Sequence, residues 1–394
     1  MKVVVAMDSF KGSLRAREAC AAVRAGILDA LPGAEVLVSP MADGGEGTAE
    51  ALIAATGGEW VPAQVMGPLP EMRVEARYAW LPSGRSVGEG ANDHRFAGDG
   101  SGALVEMAVA SGLELLEDSE RNPLETTTFG TGELLAAAAA RGAERLWLAI
   151  GGSATVDGGT GAAMALGWRF LDERRRPVGF GGGELERIAH IEAPEPASRD
   201  LPHVTVLCDV DNPLVGEEGA ARVFGPQKGA DPDIVVALER GLAGLADVIE
   251  RDLGKDVRYV PGAGAAGGLG AGALAFFGAD LMSGVDAVME ATGLEQALSG
   301  ADWVVTGEGR FDEQSLRGKV VAGVAEVARR SGVQVAVIAG SSTISPELAS
   351  GLGLGALEVS APADLSFDEI VDRADDLLAE AARRFAVTEL RGQA

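Results

Sequence analysis

The chain has 394 residues, 47% of them apolar, and a formal net charge of -26. That length exceeds one ordinary core and predicts two domains, and the charge excludes nucleic acid as a partner, because binding phosphates along a strand needs a basic face. No apolar run approaches the roughly 18 residues that span a membrane, the first residues lack the pattern of a signal peptide, and only Cys20 and Cys208 are present, so no disulfide framework or cysteine metal site is expected and the cytoplasm is the expected address.

Residues 2–7 form a continuous apolar strand, followed by the loop Asp8-Ser-Phe-Lys-Gly-Ser13. Ser13 is placed to cap a helix running to Ala30, with Glu18 in its early turns and Cys20 at core spacing with Val23 and Ile27. After the Pro32-Gly33 stop, a strand over 34–38 ends in Pro40-Met-Ala-Asp-Gly-Gly-Glu-Gly-Thr48, and a helix follows to Ala55. This βαβα order predicts a parallel sheet with ligands at the carboxyl ends of its strands, where Ser9, Lys11, Asp43 and Glu46 lie.

From residue 59 short alternating strands appear, over 60–65 and 73–81, about the turn Gly67-Pro-Leu-Pro70. The shift predicts a domain boundary near residue 60. Residues 104–115 read as a helix interrupted at Ser111-Gly112, and a hydroxyl-rich loop over 121–132 leads into an alanine helix over 133–140. The apolar run 146–150 reads as a buried strand that opens into Gly151-Gly-Ser-Ala-Thr-Val-Asp-Gly-Gly-Thr-Gly161 before a helix. A glycine-dense loop between strand and helix presents N–H groups at a positive helix end, a ready anion site. Gly151, Gly152, Gly158 and Gly159 supply backbone, Ser153 and Thr155 hydroxyls, and Asp157 one carboxylate. The loop is not the P-loop signature, because no Gly-Lys-Ser/Thr ends it.

Residues 169–202 are polar and read as an exposed excursion. A strand over 204–207 leads into Cys208-Asp-Val-Asp-Asn-Pro-Leu214, where Asp209 and Asp211 either hold a metal or cap a turn. A long helix runs from Asp231-Pro-Asp233 to about Leu253. Gly262-Ala-Gly-Ala-Ala-Gly267 matches the dinucleotide fingerprint after a short strand over 257–260, with Asp286 as the acidic residue; in a chain with 56 glycines, close backbone packing is the better reading. The parallel pattern resumes at 302–305, followed by Thr306-Gly-Glu-Gly-Arg-Phe-Asp-Glu-Gln-Ser-Leu-Arg-Gly-Lys319, a helix to Arg329, strands over 334–339 and 356–360, and an amphipathic helix over 367–385. The fold class is therefore α/β, with residues 1–60 and 290–385 forming one domain, 61–289 inserted as a second, mixed α/β domain, and 386–394 left as a C-terminal tail. The active site is expected in the cleft between them.

Only five lysines stand among the 33 basic residues, and Lys11, Lys228 and Lys319 each adjoin glycine. A compact ammonium beside glycine suits phosphate contact. None of His94, His190 and His203 lies in a glycine-rich loop, so acid–base work falls to carboxylates.

The loops quoted above, with Asn122-Pro-Leu, Thr127-Thr-Phe-Gly-Thr-Gly-Glu-Leu, Asn212-Pro-Leu, Phe224-Gly-Pro-Gln-Lys-Gly-Ala and Pro261-Gly-Ala-Gly-Ala-Ala-Gly-Gly, strongly resemble the bacterial type I glycerate kinases, in the family's order over about residues 1–385. The resemblance implies a Rossmann-like parallel-sheet domain built from both chain ends, ATP and Mg²⁺ as cofactors, D-glycerate as substrate and 2-phosphoglycerate as product. The chain departs from the family's pattern at Pro70, at Val156 (where asparagine is expected), and at Phe311, Ser315 and Val320; Val156 removes a hydrogen-bonding group beside Asp157.

Phosphoryl transfer needs a clamp on the γ-phosphate, a metal bridging the phosphates and a carboxylate on the attacking hydroxyl. On this reading Asp157 or Asp312 is the base, with Asp157 preferred. Lys11 and Lys319 neutralise transferring charge. Ser9, Lys11, Asp43, Arg310 and Lys228 bind substrate. Gly151, Gly152, Ser153, Thr155, Gly158 and Gly159 cradle the ATP phosphates, and Asp43, Glu46 or Asp209 hold Mg²⁺. Two readings from other classes stand beside it: an NAD-dependent oxidoreductase resting on residues 262–267, and a non-catalytic sugar-acid binding module. Oligomeric state is left open.

Overall fold

The computed structural model describes residues 1–45, 47–82, 100–195, 201–316, 319–362 and 365–391. Its strands are β1 (Lys2–Met7), β2 (Glu35–Val38), β3 (Glu59–Met66), β4 (Arg73–Leu81), β5 (Gly102–Glu106), β6 (Arg145–Ala149), β7 (Arg169–Leu171) and β8 (His190–Glu192). They continue with β9 (His203–Leu207), β10 (Asp280–Met282), β11 (Trp303–Gly307), β12 (Arg310–Phe311), β13 (Gln334–Ala339), β14 (Ser341–Ser342) and β15 (Ala356–Val359). Two sheets dominate. The first, in the order β15-β13-β11-β1-β2, is parallel throughout. The second, in the order β10-β9-β6-β5-β4-β3, is parallel except for β4, which runs against both its neighbours. The protein is thus α/β, with one parallel and one mixed sheet.

β1 shows why the first sheet forms. Its side chains alternate between two cores: Val3, Val5 and Met7 pack with the helices Ala16–Ala30 and Ala374–Phe385, while Val4 and Ala6 pack with Val285, Val288, Val320 and Val324 on the other face. A strand covered on both faces reads as one apolar run. The same property hides β5. Ala103 and Val105 face one core and Leu104 the other, so the expected helix over 104–115 is instead β5, the short helix Ala108–Ser111 and a 3₁₀ turn. A short apolar run cannot be told from a helix by periodicity alone.

Other expectations change for similar reasons. Ser13 does not cap the first helix; its hydroxyl donates to the Phe10 carbonyl, and Glu18 instead accepts from the Arg15 N–H. The polar segment after 169 contains the antiparallel β7–β8 pair, anchored by buried Phe170. No strand forms over 257–260. The last helix divides into Phe367–Asp372 and Ala374–Phe385. Ala386–Leu390 then continues as a π turn whose Leu390 is fully buried, so the packed structure reaches into the expected tail.

The glycines of 262–272 serve close packing. Gly267 has φ +65°, and a Cβ there would overlap the Thr155 carbonyl; Gly268 and Gly272 press against Gly158 and Gly159 in the same way. Gly158 N–H donates to the Gly267 carbonyl at 3.1 Å. The 262–272 stretch therefore locks the loop over 151–159 from behind. Gly267→Ala is expected to lower the melting temperature by about 5 °C or more, from strain and overlap together. An unchanged transition in differential scanning calorimetry would mean that the two loops do not interlock.

Candidate active site

The chain leaves β1 towards β2 on one side and returns at β11 on the other, so the crevice at the carboxyl ends of β1 and β11 is the topological switch point of the first sheet, where open α/β sheets bind ligands. Asp8 follows β1 and Glu308 follows β11. The Asp8 N–H donates to the Gly307 carbonyl at 2.9 Å, and its carboxylate accepts from the Ser9 N–H at 2.6 Å. Burial, followed by repulsion from Asp43, pushes the Asp8 carboxyl up to about 7, with Glu308 adding to the rise and Lys11 opposing it. Glu308 is raised as well, first by burial; Ser315 and Lys319 oppose the shift, and Asp312 and Asp43 add to it. Three carboxylates from three strand ends thus repel one another across one crevice. Asp8 and Glu308 carry no role in the sequence reading, although each is the first acidic residue beyond a largely apolar strand.

The second sheet meets this crevice through Asp43-Gly44-Gly45. A Cβ on Gly44 would lie 3.1 Å from the Cα of Gly284 and 3.3 Å from Leu207 Cβ, and one on Gly151 would lie 2.8 Å from the Cα of Gly45. Only glycines allow the end of β9, the helix Gly284–Ala291 and the 151–159 loop to close on the acidic turn. Asp209, just beyond β9, accepts from the Gly284 N–H at 2.9 Å through Oδ1, while its Oδ2 is buried without a hydrogen-bond partner. Burial raises its carboxyl to about 7; Ser283 lowers it and Asp43 raises it further. No group of three His, Cys, Asp or Glu among the described residues is arranged to hold a metal by itself, and Glu46 lies outside the described residues. Mg²⁺ bound with a nucleotide takes only one or two carboxylates, the phosphates and water completing its shell. The partnerless oxygen of Asp209 beside Asp43 fits that donor set.

The 151–161 loop is divided in a way the sequence does not reveal. Gly152 is exposed and Gly151 half-buried, whereas Thr155, Asp157, Gly158 and Gly159 are buried. Asp157 accepts from the Thr128 N–H and Oγ1, both at 2.8 Å, and from the N–H groups of Gly159 at 3.1 Å and Gly161 at 3.3 Å. Burial raises its carboxyl and these donors oppose the rise. Asp157 has no exposed surface, so this arrangement does not present it to a substrate hydroxyl as the expected base requires; its carboxylate instead ties the loop to Thr128. Thr155, Gly158 and Gly159 are likewise buried. Ser153 keeps only 9% exposure. Lys228, expected at the substrate, is 1% exposed and lies beneath the loop. Val156 packs among Leu214, Leu238 and Leu242, so its departure from the family pattern does not reach the site.

Lys11 is exposed and Ser9 half-buried in the loop after β1, which touches Gly309. Arg310 is exposed, its Nε 3.3 Å from Asp312 Oδ2. Lys319 precedes the helix Val320–Ser331 and acts on Glu308. The crevice therefore gathers Asp8, Lys11, Asp43, Glu308, Asp312 and Lys319. A separate open cavity beside the 67–72 turn, about 540 Å³ and lined by Leu69, Pro70, Leu124 and Phe180, holds none of these groups.

A parallel-sheet switch point carrying carboxylates and lysines, closed by a glycine loop from a second sheet, is an arrangement suited to an α/β kinase. A sequence model described as the glycerate kinase family matches residues 3–389. The chain belongs to the glycerate kinase family. It is 45% identical over 386 residues to a glycerate kinase of Halalkalibacterium halodurans, covering 98% of this chain and 97% of the relative. It is 44% identical over 390 residues to a glycerate 2-kinase of Escherichia coli K12, covering 98% of each. A crystal structure described as glycerate kinase 2 from Salmonella typhimurium LT2 superposes with a TM-score of 0.84 at 41% identity, over 100% of this chain and 99% of that one. These relatives give no support to the oxidoreductase or to the binding module. The 262–267 glycines, on which the oxidoreductase rested, are committed to packing.

Proposed function

We propose that this chain transfers the γ-phosphoryl of ATP to a hydroxyl of D-glycerate, giving ADP and 2-phosphoglycerate. The observation that carries the reading is the convergence of Asp8, Asp43 and Glu308 with Lys11 and Lys319 at the switch point, opposite Gly151 and Gly152. Asp8 takes the hydroxyl proton: one carboxylate oxygen is fixed by the Ser9 N–H, and a carboxyl near 7 is matched to proton transfer at neutral pH. The freed alkoxide attacks the γ-phosphorus, and the bond from that phosphorus to the bridging oxygen breaks to release ADP. Lys11 and Lys319 neutralise charge on the transferring group. Arg310, aligned by Asp312, receives the carboxylate of glycerate, and Ser9 lies beside it. The N–H groups of residues 151–153 meet the nucleotide phosphates. Asp43 and Asp209 would hold Mg²⁺, which supplies charge neutralisation at the phosphate oxygens. The strand membership of the two sheets supports one domain from residues 1–60 with 290–385 and a second from 61–289.

No helix among the described residues is long and apolar enough to cross a membrane, and the two cysteines are free; both accord with the proposed cytoplasmic address. A coupled ADP-release assay with D-glycerate, ATP and Mg²⁺, followed by phosphorus NMR of the product, tests activity and regiochemistry together. Absence of glycerate-dependent ADP sinks the reading. Lys11→Ala is expected to raise the KM of a phosphate- or carboxylate-bearing substrate by about ten-fold or more, the value of one charge-assisted contact; unchanged constants would remove Lys11 from the site.

A further inference from the structure

Lys228 is among the largest fully buried side chains of the protein. The 3₁₀ turn Pro226–Lys228 brings it inward, and Gly229, at φ +94°, turns the chain away against the backbone of Arg121. Its Nζ donates to Ser153 Oγ at 2.6 Å and to the Thr155 carbonyl at 2.8 Å. Both contacts lie on the underside of the loop whose outer side carries Gly151 and Gly152. The charged group that acts on it is Asp157, on the loop itself. A buried ammonium is costly to keep charged, and an apolar side chain of similar length would fill the same space. The lysine has a use there if negative charge arrives on the far side of the loop.

We propose that Lys228 is a positioning residue for the nucleotide phosphates: from beneath the loop it fixes Ser153 and Thr155, so that the N–H groups of residues 151–153 face outward, and it supplies through the loop the positive charge that a bound phosphate requires. This rests on the reading above that the loop receives phosphate. In the free protein, burial holds the amine down to about 7, with Asp157 opposing the shift. An anion on the loop favours the charged amine, so its titration moves upward on binding. By linkage, nucleotide binding at pH 8 takes up protons, and affinity falls as pH rises above 7.

The test is calorimetric titration of ADP with Mg²⁺ at pH 8 in two buffers of different ionisation enthalpy, for the full chain and for Lys228→Met. The expected result is proton uptake in the natural protein that is lost in the variant, with KM for ATP raised about ten-fold, as for loss of a charged contact, and KM for glycerate nearly unchanged. Equal proton uptake in both proteins, or equal rises in both KM values, overturns the inference. Should the variant not fold, the natural protein alone decides: absence of proton uptake overturns the proposal, and Ser153→Ala is expected to diminish it. The ADP titration needs no glycerate. Proton-linked ADP binding without glycerate turnover would sink the substrate assignment and leave Lys228 standing; turnover without linkage would do the reverse.

Discussion

Asp8→Asn is expected to lower kcat by about a thousand-fold, the scale of a lost general base, and at the same time to raise the melting temperature. The two effects have one cause. Asp8 sits at the switch point, where burial and the neighbouring Asp43 and Glu308 push its carboxyl from 3.8 to about 7. A carboxyl raised in the folded state contributes stability that is complete below 3.8 and is lost as pH rises through about 7. At pH 8 the folded protein therefore carries a charge that the unfolded chain accommodates more readily. Asparagine keeps an oxygen for the Ser9 N–H but brings no charge, and the repulsion from Asp43 and Glu308 falls away. In metal-free buffer at pH 8 the variant is expected to melt a few degrees higher, with the gain vanishing towards pH 4. Turnover within a few-fold of the natural enzyme, or a lower melting temperature, would remove Asp8 from the proposed role. Active sites commonly hold groups that the fold alone would not favour.

Asp157→Asn should behave in the opposite way. Its carboxylate accepts from two backbone N–H groups on its own loop and from the N–H and hydroxyl of Thr128. A carboxamide places an NH₂ opposite donors, and each buried group left unsatisfied costs about 1–3 kcal/mol. The expected loss is about 3 kcal/mol or more, read as a lower urea midpoint, with kcat and KM for ATP impaired together because the loop loses its anchor. An exposed catalytic base would instead lose kcat at unchanged stability. A variant with the natural midpoint and a selectively lower kcat would restore Asp157 as the base and displace Asp8.

These two residues mark where the sequence is informative and where it is not. The apolar runs of β1, β11 and β13, and the return of the α/β pattern near 302, are legible because burial on both faces leaves polar residues only at the strand ends, Lys2, Thr306 and Gln334. β5 carries the same signature, yet its length suits either a strand or part of a helix. At the site, residue type and loop position are legible, and Asp43, Lys11, Lys319 and Asp312 do gather at strand ends. Which face of a loop is solvated is another matter. Thr155, Asp157 and Lys228 have the composition of a phosphate site but are buried; the 262–272 glycines press against the second half of the loop, and the 226–228 turn carries Lys228 inward. No local pattern records a contact between segments more than a hundred residues apart. Asp8 is hidden for the converse reason: its raised carboxyl arises from burial and from Asp43 and Glu308, which only the folded sheet brings near.

The pairing of β1 with β11 also bears on how the chain is made. Val3 pairs with Trp303, and the Lys2 N–H donates to Asp302 at 2.7 Å. On a ribosome the apolar strand of residues 3–7 finds its inner neighbour only after some 300 intervening residues have been synthesised. Closing so long a loop is slow, and although β2 can pair with β1 early, the other edge of β1 stays open meanwhile. The strands of the second sheet, β3 to β10, are contiguous in the chain and can assemble during that wait. The chain order therefore allows the second sheet to close before the first. The crevice at the β1–β11 seam, where the proposed site lies, is complete only once β11 has paired with β1.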